Sequence, residues 1–171
     1  LDILQEYDFY VRFHDIQLLG SLLTVRPDHV QGCILTAPMG ISRLMDLLDN
    51  SPYDFVINHQ ETDLEKLQSF VHRTFNADDA VQFIKSLKHI YVNHNGLESV
   101  FTKHAETDSM QTAISNFKAT FFEMEYLPRT QKHISDPLKN SAAKRINMFL
   151  RWMVRNDKTG VDFGIWKNIS S

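Results

Sequence analysis

The sequence is poor in the residues that punctuate or cross-link a chain. Cys33 is the one cysteine in 171 residues. No internal disulfide can form and no secretory leader is expected, so a reducing, cytoplasmic setting is expected. With no histidine or basic helix end nearby, Cys33 reads as a small buried side chain rather than a nucleophile. There are only 6 glycines and 5 prolines. Sandwiches and barrels consume turns, so long helices joined by few sharp corners are expected instead. No apolar run approaches the roughly 20 residues of a membrane span, so no membrane is expected. No phosphate-cradling glycine loop is present either, because Gly160 and Gly164 lack a following Lys-Ser/Thr and read as a turn. What the chain does have is 43% hydrophobic residues, 12 of the total being Phe, enough to bury a core without disulfides or metal.

Charge is unevenly spread. Residues 129–171 hold nine Lys/Arg against three Asp, a net of +6; residues 1–128 hold nine basic against eighteen acidic residues, a net of −9. A basic final quarter suits an anionic partner, or an acidic surface of this same chain. The length suits one helical domain over 1–171. Because the chain starts at Leu1 and stops soon after Trp166, it is expected to be a piece of a longer reading frame, incomplete at the C-terminus.

Helix punctuation is explicit in several places. Asn76 before Ala77-Asp78-Asp79 is an N-cap with two first-turn carboxylates. Ala80, Phe83, Ile84, Leu87 and Tyr91 then recur at helical spacing up to a stop at Asn95-Gly96. Thr107 is placed to cap a helix with the stripe Met110, Ala113, Ile114, Phe117 and Phe121, running to about Met124. Ser51-Pro52 opens a short helix through Asn58. The box Thr62-x-x-Glu65 opens another, to about Phe70. Residues 41–48 read as a helix with Leu44, Leu47 and Leu48 inward. In the first forty residues, 16–25 reads as helix or buried strand. No strand alternation builds a significant sheet. The expectation is an all-α bundle or array of seven or eight helices.

The most informative stretch runs from His133 to Arg155. Asp136-Pro137 makes a turn, Asn140 or Ser141 is placed to cap, and a helix follows to about Arg155. Ala142, Ile146, Phe149, Leu150 and Met153 form its apolar stripe, and Trp152 reads as core. Lys144, Asn147, Arg151 and Arg155 line the opposite side about one turn apart. In the first turn, where the helix dipole and Arg145 disfavour an ammonium, Lys144 is a candidate amine nucleophile. The plainer alternative is a solvated basic face. The histidines offer no such pattern. His89 and His94, five apart, fall on different sides of a helix, and His72, His104 and His133 have no ligand-spaced partner, so no metal and no cofactor are expected.

His133-Ile-Ser-Asp-Pro137, Ser141 through Arg155 and Gly160-Val-Asp-Phe-Gly-Ile-Trp166 resemble the most distinctive block of an uncharacterised bacterial family, known only as a domain of unknown function. Ser51-Pro-Tyr-Asp-Phe-Val56, Phe75-Asn76, Phe83-Ile84, Leu87 and Tyr91 resemble its middle portion, so the likeness spans about Arg43 to Trp166. Ala37-Pro-Met-Gly40 stands where that family has a Trp-Gly-containing helix end. The family in turn resembles the helix-hairpin-helix (HhH-GPD) DNA glycosylase superfamily, in which a hairpin and the following helix grip DNA phosphates. The resemblance implies that Ser141-Ala-Ala-Lys144 stands where glycosylases carry Gly-x-Gly-x-Lys. Lys144 then matches the lysine that forms a Schiff base with the sugar. Two elements of that pattern differ. No glycine lies between Pro128 and Asn140, and no Asp-x-His segment follows the helix, Asp162 being too near. That aspartate is expected downstream of Ser171.

Three functions follow. The first is a base-excision, glycosylase-like DNA repair domain, with Lys144 catalytic and Lys139, Ser141, Arg145, Asn147, Arg151 and Arg155 holding nucleic acid. The second is a nucleic-acid-binding module without chemistry. The third is a helical protein-interaction or scaffold domain.

Overall fold

The computed structural model describes residues 44, 46–49, 52–72, 75–103, 109–156, 164 and 166–169. Expectations for Cys33, the first forty residues, Thr107, His104, Gly160 and Asp162 lie outside these. The chain divides into two compact units, Leu1–Ile84 and Lys85–Ser171. It is mostly helical. Among the described residues there are five complete α-helices, three 3-10 segments and one two-residue antiparallel pairing.

In the first unit, Leu44 and Leu48 are buried while Leu47 is half-buried. Helix α1 covers Pro52–Asn58, with proline at the one position where a missing N–H costs nothing. His59 ends it by placing Nδ1 2.9 Å from the Val56 carbonyl and 3.0 Å from that of Phe55. The next element, Glu61–Ser69, is 3-10 rather than α, and it begins before the expected Thr62 cap. The Gln60 N–H donates to Asp63 Oδ2 at 2.8 Å; this pairing captures the start two residues early. Leu64 and Leu67 point inward, a spacing of three that suits the tighter winding. The short strands β1 (Val71–His72) and β2 (Phe75–Asn76) pair antiparallel. Phe75 sits edge-on to both Phe70 and Phe83.

Helix α2 spans Ala77–Asn93. Its start is the expected one, closed reciprocally: Asp79 N–H donates to Asn76 Oδ1 at 3.2 Å, and Asn76 N–H donates to Asp79 Oδ2 at 3.1 Å. Its stop is also the expected one. Asn95 and Gly96 take φ of 58° and 91°, and the Gly96 N–H reaches back to the Ile90 carbonyl at 3.2 Å.

In the second unit, α3 (Leu97–Thr102) packs against α4 (Met110–Phe121). Ser109 supplies the cap of α4, its Oγ accepting from the Thr112 N–H at 3.4 Å. The helix stops at Phe121, short of Met124. Ala113, Ile114, Phe117 and Phe121 are buried as their spacing requires. Two 3-10 segments follow, Pro128–His133 and Pro137–Lys139, the second capped by Asp136 Oδ1. Lys118 binds the end of the first by donating to the carbonyls of Ile134 (2.8 Å) and Gln131 (3.3 Å). Helix α5 is Lys144–Val154.

Candidate functional site

Helix α5 begins later than its sequence suggests. Asn140 (φ 61°) closes the Pro137–Lys139 turn in the left-handed region, and Ala143 (φ 42°, ψ 39°) is left-handed as well. Neither Asn140 nor Ser141 caps the helix. The N-cap position belongs to Ala143, which has no side chain to cap with, while Ser141 Oγ accepts from the Ala143 N–H at 3.3 Å. Because the chain reverses hand here, Ala142 is out of phase with the helix. It is exposed, and Ala143 is buried in its stead. The buried stripe is therefore Ile146, Phe149, Leu150, Trp152 and Met153. Asparagine enters the left-handed region readily, but an alanine there is costly, at roughly 1–3 kcal/mol.

At the other end of α5 the chain folds back onto the helix. The Gly164 N–H donates to the Trp152 carbonyl at 3.2 Å, and the Trp166 N–H to the Met153 carbonyl at 2.9 Å. These bonds take up carbonyls that a helix end leaves open. Trp166 then lies 5.4 Å from Phe149 and 5.6 Å from Phe101, and Phe101 stacks on Phe117 at 4.6 Å. An aromatic run thus ties α5 to α3 and α4. Gly164 is needed at its φ of 59°, since an added Cβ would stand 2.6 Å from the Asn156 Cβ.

With the stripe buried, the other side of α5 faces water. Lys144, Asn147, Arg151 and Arg155 are all exposed, as are Arg145 and Lys139; Ser141 is half-buried. On a helix of 3.6 residues per turn, the first four fall within roughly 80° of one another, over about 16 Å. Arg145 stands about 100° round from Lys144. Asn147 turns its amide back to the Ala142 carbonyl at 2.9 Å and so braces the left-handed turn.

A second cluster was not expected from the sequence. His89 and His94 do not fall on opposite sides of a helix, because α2 ends at Asn93 and the chain turns at Asn95. His89 Nε2 and His94 Nε2 lie 3.3 Å apart, and each is 2.9 Å from Glu123 Oε2. The Asn93 amide sits 2.8 Å from His89 Nδ1. Hydrogen bonds from His89, and then from His94, hold the Glu123 carboxyl below its ordinary value. The group lies at the C-terminal ends of α2 and α4. His94 and Glu123 also line a cleft of about 630 Å³ with Asn95, Ser99, Lys103 and Thr120. His133 is buried, away from any such grouping among the described residues.

Over 51 residues the chain is 53% identical to the general vesicular transport factor p115 of Bos taurus and equally to that of Homo sapiens. Each match covers 30% of this chain and 5% of the relative. It is 50% identical over 48 residues to Golgin candidate 6 of Arabidopsis thaliana, again 5% of that protein and 28% of this one. The chain thus spans about one-twentieth of the curated relatives it matches, and none of these three is bacterial. No solved structure matches it. Residues 36–171, which include both candidate sites, match the family described as "Protein of unknown function (DUF2400)", and the chain belongs to that family.

Proposed function

We propose that α5 is a phosphate-binding face for nucleic acid, within a glycosylase-like DNA repair domain in which Lys144 is the reacting amine. The observation that carries this reading is the exposure of Lys144, Asn147, Arg151 and Arg155 along one side of a helix whose other side is buried. A face of about 16 Å is long enough to meet several phosphates of one strand, which advance about 3.4 Å each along the duplex axis.

In that chemistry the Lys144 amine adds to the C1′ aldehyde of an abasic sugar, water leaves, and an imine remains. Borohydride reduces the imine to a stable adduct. The test combines trapping on abasic duplex with the salt dependence of binding. An adduct with the wild type that is lost in Lys144→Ala is expected. The logarithmic salt slope should fall by about 0.9 for each of Lys144→Ala, Arg151→Ala and Arg155→Ala. No adduct, or an equal yield in Lys144→Ala, removes the catalytic role and leaves the binding module. Affinity indifferent to salt removes both.

The likeness to vesicular transport factors favours a second reading, a protein-interaction segment used in vesicle transport. Fractionation of cells distinguishes the two. Chain recovered with vesicles after nuclease treatment supports the second, and chain released by nuclease supports the first.

A further inference from the structure

We propose that His89, His94 and Glu123 form a binding site for one divalent transition-metal ion, with zinc the ion that fits best. The three donor atoms make a triangle with edges of 2.9, 2.9 and 3.3 Å. Its corners lie about 1.8 Å from the centre. An ion at the usual Zn–N and Zn–O length of about 2.0–2.1 Å therefore sits roughly 1 Å above the plane. The side chains need to move little to accept it. Donor spacing of this kind is what tetrahedral coordination produces, with two imidazoles and one carboxylate on one face and the remaining position open.

Three further features agree with a cation. The C-terminal ends of α2 and α4 meet here, and each carries the negative end of a helix dipole. The Asn93 amide faces His89 Nδ1. The amide nitrogen is the atom that stands at Nδ1, so a half-turn of the amide is needed for its oxygen to accept the Nδ1 proton and leave Nε2 free to ligate, the supporting contact that metal-bound imidazoles usually have. The histidine side chains keep 18% and 25% of their surface, and Glu123 keeps 54%, so an ion can enter from solvent. Two of the three ligands, His94 and Glu123, line the cleft that Lys103 and Ser99 also line. That placement suits a water or a small anion as the fourth ligand. The site is independent of the α5 face and stands or falls separately from it.

The experiment is equilibrium dialysis of the full chain against zinc at micromolar concentration, with metal content measured after removal of any affinity tag. Cobalt serves as the coloured substitute. One equivalent of zinc is expected, together with the intense visible bands of four-coordinate cobalt. His89→Gln and His94→Gln keep a hydrogen-bond donor for Glu123 but cannot ligate through imidazole. Each should retain the wild-type circular dichroism and weaken zinc binding at least tenfold. Asn93→Ala should weaken it about tenfold. Failure of the wild type to bind zinc overturns the proposal. So does an unchanged zinc content in folded His89→Gln/His94→Gln double variant, which leaves the cluster as a hydrogen-bonded tie between two helix ends.

Discussion

Asn168 donates twice to Glu98, through its backbone N–H at 3.0 Å and its side-chain amide at 3.1 Å, both to Oε1. The Lys167 N–H joins them at 2.9 Å. One carboxylate oxygen in the first turn of α3 thereby fastens the segment that carries Trp166 across the end of α5. Charged acceptors make the stronger hydrogen bonds, but this one is solvent-accessible. Glu98→Ala is expected to cost about 1–2 kcal/mol in urea unfolding, and to raise the access of Trp166 to a fluorescence quencher. Asn168→Ala should do the same to a smaller extent.

Gly164→Ala tests the same segment from its backbone. The substitution forces a side chain into the left-handed region and against Asn156. A loss of about 2–4 kcal/mol is expected from strain plus overpacking. Asn140→Gly is the control. Its φ of 61° is one that glycine adopts freely, so its unfolding midpoint should stay within about 0.5 kcal/mol of the wild type.

Much of this framework is legible in the sequence because it is local. The Asn76–Asp79 cap, the Asn95-Gly96 stop, Pro52 at the first turn of α1 and the Phe117 and Phe121 stripe each depend on neighbours within a few positions. The exposed side of α5 is legible for the same reason. The start of α5 is not. Nothing in an alanine marks it for a positive φ, or tells that Ala143 rather than Ala142 is the buried one. The His89, His94 and Glu123 grouping fails differently. It requires knowing that α2 stops within one residue of His94 and that Glu123, 29 residues on, comes to the same helix end. Spacing alone carries neither fact. The Thr62 box was outcompeted by an equally good donor–acceptor pair two residues earlier.

Lys118 offers a test in the alkaline range. Burial, the larger cause, and the nearby Lys139 lower its ammonium below the ordinary 10.5. The unfolded chain then binds that proton more tightly than the folded one. Stability should therefore rise as pH climbs through the folded value towards 10.5. Lys118→Met should abolish this rise. It should also cost about 1 kcal/mol at neutral pH, from the Ile134 carbonyl left without the lysine, the Gln131 carbonyl keeping the Ile134 N–H.

Glu123 gives the opposite limb. Its carboxyl is held below the ordinary 4.5. Its contribution is therefore present above that value and is lost as pH falls through the folded one. Acid unfolding of Glu123→Gln should show a shallower loss below pH 4.5 than the wild type, from a neutral-pH stability that is lower because the carboxylate's contribution is gone there. An identical acid limb would remove Glu123 from the account of acid sensitivity.

Both tryptophans of the chain, Trp152 and Trp166, belong to the Lys85–Ser171 unit. Their emission, excited selectively over tyrosine, is therefore a spectroscopic address for that unit alone, while the Leu1–Ile84 unit is silent in this channel. Circular dichroism reports on the helices of both. If the two signals share one midpoint on denaturation, the units melt as one cooperative body. If they separate, the unit bearing α5 has a stability of its own, and each variant above can be assigned to it by colour.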